Sequence, residues 1–193
     1  MRSLIAALAT ALLAGCVTPV GPIEVTRFHV AETQLLGSGP ISVEPAQGVA
    51  DTSLELRSYQ AAVARELVRI GYAEATGGTA QVAQVRLQRR TWQPGRGRGP
   101  VSVGVGGGGG SWGSGVGMGL GVDLSPRPAA QVETELAVTI KDRASGRALW
   151  EGRAIFVVPA DSPVAQTDLG AAKLAEALFR GFPGNSGETI LVR

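Results

Sequence analysis

From Val132 to Val158 the chain alternates. Val132, Thr134, Leu136, Val138 and Ile140 are separated by Glu133, Glu135, Thr139 and Lys141, and after Asp142-Arg143-Ala144-Ser145-Gly146 the positions Ala148, Trp150, Ala154, Phe156 and Val158 resume the pattern. Successive side chains of a strand point to opposite faces, so a period of two marks a strand with one buried side. A glycine-closed turn between two such runs makes an antiparallel pair. One face of this pair must be covered by another layer, which excludes an all-helical fold and asks the rest of the sequence for helices or a second sheet.

Two helical patterns answer. Residues 51–70 carry Leu56, Tyr59, Val63, Leu67 and Ile70 along one face, with Asp51 or Ser53 as N-cap and Gly71 just past the end. Residues 167–180 place Ala171, Leu174, Ala175 and Leu178 on a stripe extended by Phe182, and Pro183-Gly184-Asn185-Ser186-Gly187 stops it. Strands are expected at 23–30, 41–44 and 81–92, with a last edge strand at 188–192. In 81–92, Val85 and Leu87 point inward, and Arg86, Gln88 and Arg90 take the opposite face.

Glycine is the compositional anomaly: 28 of 193 residues, with the surplus concentrated at about 95–121. Val101, Val103 and Val105 alternate with Ser102, Gly104 and Gly106; Val116, Met118, Leu120, Val122 and Leu124 alternate with Gly117, Gly119, Gly121 and Asp123. This predicts a hairpin with one apolar face and one nearly bare face, closed by a loop carrying Trp112; a flexible loop is the alternative. Gly104-Val105-Gly106-Gly107-Gly108-Gly109 satisfies a dinucleotide fingerprint only formally, because no helix follows it.

The front of the chain reads as an address. Arg2 precedes an apolar run, Leu4 to Leu13, that ends in Leu13-Ala14-Gly15-Cys16, and Thr18-Pro19-Val20-Gly21-Pro22 breaks any continuation. The run falls short of the roughly 20 apolar residues that span a bilayer. The tetrapeptide resembles the lipobox of bacterial lipoproteins, which implies a leader at 1–15 cut before Cys16, diacylglycerol and acyl chains on that cysteine, and a tether at 16–22. Two or more chains anchor stably. Val17, in place of aspartate, implies by the same resemblance the periplasmic face of the outer membrane. The one cysteine of the chain is thereby consumed, so no disulfide is available to the folded part.

Chemistry is thin. His29 is the sole histidine and falls in a strand pattern beside Phe28, where a hydrogen-bonded structural imidazole is expected. There is no G-x-S-x-G, no HExxH and no CxxC, so neither a catalytic residue nor a metal or other cofactor is predicted. Glu133 and Glu135 share a strand face but read as solvating acids. The strongest surface feature is Arg86, Arg89, Arg90, Arg96 and Arg98, with Trp92 between them. In a cytoplasmic protein that combination would suggest RNA, but the leader argues against access to nucleic acid, and the net charge of +2 implies no such partner. In an envelope the guanidinium groups would meet phosphates or acidic patches. Trp112 joins them as a candidate contact.

The order of parts then becomes recognisable: lipobox, an early strand pair, a helix ending in Ile70-Gly71-Tyr72, a strand with basic residues, a glycine-rich stretch, a two-strand unit turning at Gly146, and a helix closing on Phe179-Arg180-Gly181-Phe182-Pro183-Gly184. It resembles a family of bacterial lipoproteins catalogued as domain of unknown function four-one-three-six. The resemblance supports location and fold and brings no activity. The expectation is one α+β domain over 23–193: a mixed, mainly antiparallel sheet with two helices on one face and a Gly-rich insertion. Its expected role is that of a non-enzymatic, lipid-anchored envelope protein that binds a protein partner or an anionic envelope component. An accessory subunit of an envelope transport or assembly complex is the alternative.

Overall fold

Alternation is realised in strands along most of the described chain. The computed structural model describes residues 21–48, 53–94, 101–107, 116–122 and 129–193. In chain order its elements are β1 (Ile23–His29), β2 (Gly39–Pro45), α1 (Leu54–Arg69), β3 (Tyr72–Glu74), β4 (Gln81–Trp92), β5 (Val101–Gly107), β6 (Val116–Val122), β7 (Gln131–Asp142), β8 (Ala148–Pro159), α2 (Thr167–Phe179) and β9 (Thr189–Val192), with 3-10 turns at Thr33–Leu35 and Pro163–Ala165. Seven strands form a sheet in the order β3-β2-β4-β7-β8-β1-β9. β2 runs parallel to β3 and β4, and every other pair is antiparallel. The fold is therefore α+β, with a mixed, mainly antiparallel sheet.

One expectation about pairing needs correction. β1 and β2 are not a pair: β1 lies between β8 and β9, and β2 lies between β3 and β4. The crossover is imposed by α1, which follows β2 and returns the chain along the sheet so that β3 and β4 enter parallel to β2. The three-residue strand β3 has too few residues to show a period, and the sequence reading passed over it.

The antiparallel register assigns each residue to a face. Ala83, Val85 and Leu87 of β4 lie opposite Ile140, Val138 and Leu136 of β7. The last two lie opposite Gly152 and Ala154 of β8, which in turn face Arg27 and Val25 of β1. Ile140 pairs with Trp150 but Lys141 with Ala148, so Leu149 is the extra residue of a bulge.

Both helices cover this face. α1 buries Leu56, Tyr59, Ala62, Val63, Ala64 and Leu67; its N-cap is Ser53, whose Oγ accepts from Leu56 N at 3.3 Å. Gly71 ends it with φ +115°, where a Cβ would stand 2.5 Å from the Gly37 carbonyl oxygen, so no other residue fits. α2 buries Gly170, Ala171, Leu174, Ala175, Ala177, Leu178 and Phe179, a wider stripe than the sequence suggested. Glu55 near the start of α1 accepts from Thr167 Oγ1 at the start of α2, at 3.3 Å, so the two helices begin at the same end of the sheet.

At the other end the core is aromatic. Trp150 stacks on Phe179 with centroids 5.4 Å apart and meets Phe182 at 5.3 Å, and Tyr72 closes on Phe182 edge-on at 6.5 Å. Gly152 is required beside that cluster, because any Cβ there would collide with the Trp150 ring and Leu178.

The glycine-rich insertion does form a hairpin. β5 and β6 make a separate antiparallel pair whose register sets Val103 against Leu120, Gly104 against Gly119 and Val105 against Met118. The formal fingerprint thus begins in a strand. The loop with Trp112 lies outside the described residues, as do the leader and Cys16.

Candidate functional site

One face of the seven-stranded sheet carries the helices, and the other is lined by half-buried and exposed residues over most of its width, with Ser42 and Val82 buried where β2 meets β4. Cross-strand register arranges that open face in rows. Gln84, Thr139, Glu151 and Phe28 form one row; Arg86, Ala137, Arg153, Thr26 and Thr189 form the next; Gln88, Glu135, Ile155, Glu24 and Leu191 follow; Arg90, Glu133 and Val157 come after them. A shallow cavity of about 220 Å³ lies over the first two rows, lined by Thr26, Phe28, Ala137, Thr139, Glu151 and Arg153. Phe28, Val157 and Leu191 are exposed large apolar residues of this face.

The predicted arginine cluster divides. Arg86 and Arg90 are on the open face, as parity requires, but Arg89 is on the helix side with Val85 and Leu87. Its guanidinium donates to Glu55 Oε1 at 2.7 Å and to the Ala165 carbonyl, tying β4 to the starts of both helices. Arg89 is a scaffold residue, and its grouping with Arg86 and Arg90 as one contact patch is corrected. Arg90 pairs with Glu133 across the β4–β7 ladder at 2.9 Å. Arg86 is exposed and forms no ion pair among the described residues; Ala137 separates it from Arg153, whose Nε is 3.2 Å from Glu135. Arg96, Arg98 and Trp112 lie outside the described residues.

Side chains suited to proton transfer are held by the scaffold. His29 has Nδ1 2.8 Å from the Val30 carbonyl oxygen and Nε2 3.2 Å from that of Gly184. Trp150 Nε1 donates to the Pro183 carbonyl at 3.0 Å, so the Phe182-Pro183-Gly184 segment is gripped from β1 and β8 together. Glu133 and Glu135 each face an arginine. Among the described residues no group of three or more His, Cys, Asp or Glu side chains is placed to hold a metal ion.

Arg27 is the residue that sequence reasoning missed. It is 5% exposed, and its Nε and Nη2 donate to the carbonyls of Leu178 and Ala177 at 3.0 and 3.1 Å. A cation there meets the negative end of α2 and satisfies carbonyls that have no partner within the helix. Burial pulls the guanidinium pKa down, and Glu188 acts against that pull. The available signal was parity: Ile23, Val25, Arg27 and His29 occupy one register, so an arginine sits on an inward position. Tyr59 is similarly internal, its hydroxyl bonded to Thr134 and pushed up to about 12 by burial.

This is the arrangement of a small α+β domain with one covered and one open sheet face. The chain belongs to the family described as "Domain of unknown function (DUF4136)", which matches residues 25–184, from β1 through the Phe182-Pro183-Gly184 segment. It is similar to "Uncharacterized protein ZMO1243" of Zymomonas mobilis subsp. mobilis, 33% identical over 215 aligned residues that cover 89% of this chain and 80% of that one. Among solved structures, a PDZ domain protein from Parabacteroides distasonis superposes with a TM-score of 0.52 at 13% identity, a likeness of fold alone. The match covers 98% of this chain, which spans 42% of the length of that one. A PelC dodecamer from Paraburkholderia phytofirmans gives a TM-score of 0.44 at 12% identity, covering 80% of this chain and 92% of that one. No helix among the described residues is long and apolar enough to cross a membrane.

Proposed function

We propose that the chain is a non-enzymatic lipoprotein of the bacterial cell envelope, anchored through acylated Cys16 at the periplasmic face of the outer membrane, whose domain binds a protein partner through the open face of its sheet. The observation that carries the reading is that face itself. A sheet buries one side against α1 and α2 and leaves the other to solvent with Phe28, Ile155, Val157 and Leu191 set among Arg86, Arg153, Glu151 and Thr26. Such a mixture of exposed apolar side chains, arginines and other polar groups is the make-up of non-obligate protein interfaces. A protein partner is favoured over an anionic component because the arginine cluster is dispersed: Arg89 serves the scaffold, and Arg90 and Arg153 have carboxylate neighbours.

Two arms test the reading. Mass spectrometry of the mature protein should find an acylated amino-terminal cysteine at position 16, and Cys16→Ser should release the protein from the membrane fraction. Ile155→Asp with Phe28→Asp should abolish a native complex while circular dichroism stays unchanged. A complex that survives the double substitution places the contact elsewhere.

A further inference from the structure

Eight large apolar side chains are exposed among the described residues, and they are unevenly placed. Phe28, Leu35 and Val68 lie toward the aromatic end of the domain. Leu54, Trp92, Val157, Leu169 and Leu191 lie at the other end, where both helices begin. Leu54 opens α1 at 75% exposure, and Leu169 is in the first turn of α2 at 49%. Trp92 closes β4, opposite Gln131 at the start of β7, which faces Pro159 at the close of β8. Leu191 pairs with Glu24, one residue after β1 begins.

The chain enters at this same end. Gly21 lies against the Val157 backbone, where a Cβ would be 3.7 Å from its carbonyl oxygen. From Cys16 to Gly21 is five residues, which span at most about 18 Å when fully extended. A lipid on Cys16 therefore holds Gly21, at the apolar end, within that distance of the bilayer surface.

We infer that this end of the domain docks on the bilayer, with Leu54, Leu169 and Trp92 entering the interfacial layer. Leucine and tryptophan are the side chains that gain most there, tryptophan because its ring is apolar and its N–H is wet. Asp161, Asp168 and Arg90 are all exposed at this end, so charges of both signs meet the surface and offset one another, and apolar insertion carries the contact with little dependence on salt. The aromatic end and the centre of the open sheet face are left pointing into the periplasm. The inference rests on Cys16 as the anchor.

The full chain offers its own probe site, because acylation consumes its one cysteine. Leu54→Cys, Leu169→Cys and Val68→Cys, each carrying a nitroxide, would be compared in membranes of the expressing bacterium by collision with lipid-phase oxygen and with an aqueous nickel chelate. Val68 is the internal control, 14 residues along the same helix and about 21 Å from Leu54. The expected result is loss of nickel access and gain of oxygen access at 54 and 169, with the reverse at 68, unchanged in high salt. Equal nickel access at all three positions overturns the docking. Loss of nickel access at 54 and 169 without oxygen access means that a protein covers the end, and also overturns it. Absence of an acyl mass on Cys16 removes the anchor and the docking together, which separates that failure from the other two.

Discussion

The two faces of the sheet are made from the same strands, in alternate residues, and they obey different rules. On the helix side the inward polar side chains are answered: Arg27 by carbonyls of α2, Tyr59 by Thr134, Arg89 by Glu55 and Ala165. On the open side the arginines of β4 and β8 pair in solvent, Arg90 with Glu133 and Arg153 with Glu135, and Arg86 stands without an ion pair among the described residues. Buried polar groups must be satisfied or the fold loses their desolvation energy, while exposed ones are solvated whether paired or not. Substitutions on the helix side should therefore read out as stability, and those on the open side as binding.

The largest effect is expected at Trp150, which is fully buried, stacked on Phe179 and packed against Phe182. Trp150→Ala should cost about 4 kcal/mol of unfolding free energy in denaturant titration. Next, Arg27→Leu keeps much of the volume but leaves the carbonyls of Ala177 and Leu178 without a donor. A loss of about 3 kcal/mol should follow, with α2 the first element to exchange its amides. A variant as stable as the parent would mean that the buried cation is dispensable.

Tyr59 gives a pH-dependent version of the same contrast. Its hydroxyl keeps its proton in the fold up to about 12, whereas in the unfolded chain it releases it near the ordinary value of 10. The unfolded state thus binds fewer protons between those values. Stability is full below pH 10 and falls by on the order of 2 kcal/mol as pH rises to about 12. Tyr59→Phe should flatten that alkaline limb. The smallest pair compares neighbours on one strand: Arg89→Gln should lose about 1 kcal/mol by removing the bonds to Glu55 and Ala165, and Arg86→Gln less than about 0.5. Equal losses in thermal unfolding would erase the distinction between the faces.

Much of this division was legible in the sequence, because a period of two is a local property. The limits of β4 and the inward positions of β7, the Ser53 cap and the stripe of α2 all follow from patterns a few residues long. Arg89 was misjudged when nearness in sequence overrode parity: it is one residue from Arg90 and three from Arg86, both on the other face. The same parity would have revealed Arg27, which falls on an inward position with Ile23 and Val25. Strand order was not legible, since the place of β1 beside β8 depends on contacts across more than a hundred residues. An uncovered face follows from two helices on one side, but which residues meet in its rows depends on the strand order.

The most direct test of the account compares the two faces in living cells. A photo-crosslinking residue at Ala137, in the middle of the open face, should yield a discrete adduct with an envelope protein, and that adduct should vanish with Ile155→Asp and Phe28→Asp. The same residue at Arg65, on the solvent side of α1, should yield none. An adduct from Arg65 with silence at Ala137 would contradict the account, by placing the contact on the helices and leaving the open face to water.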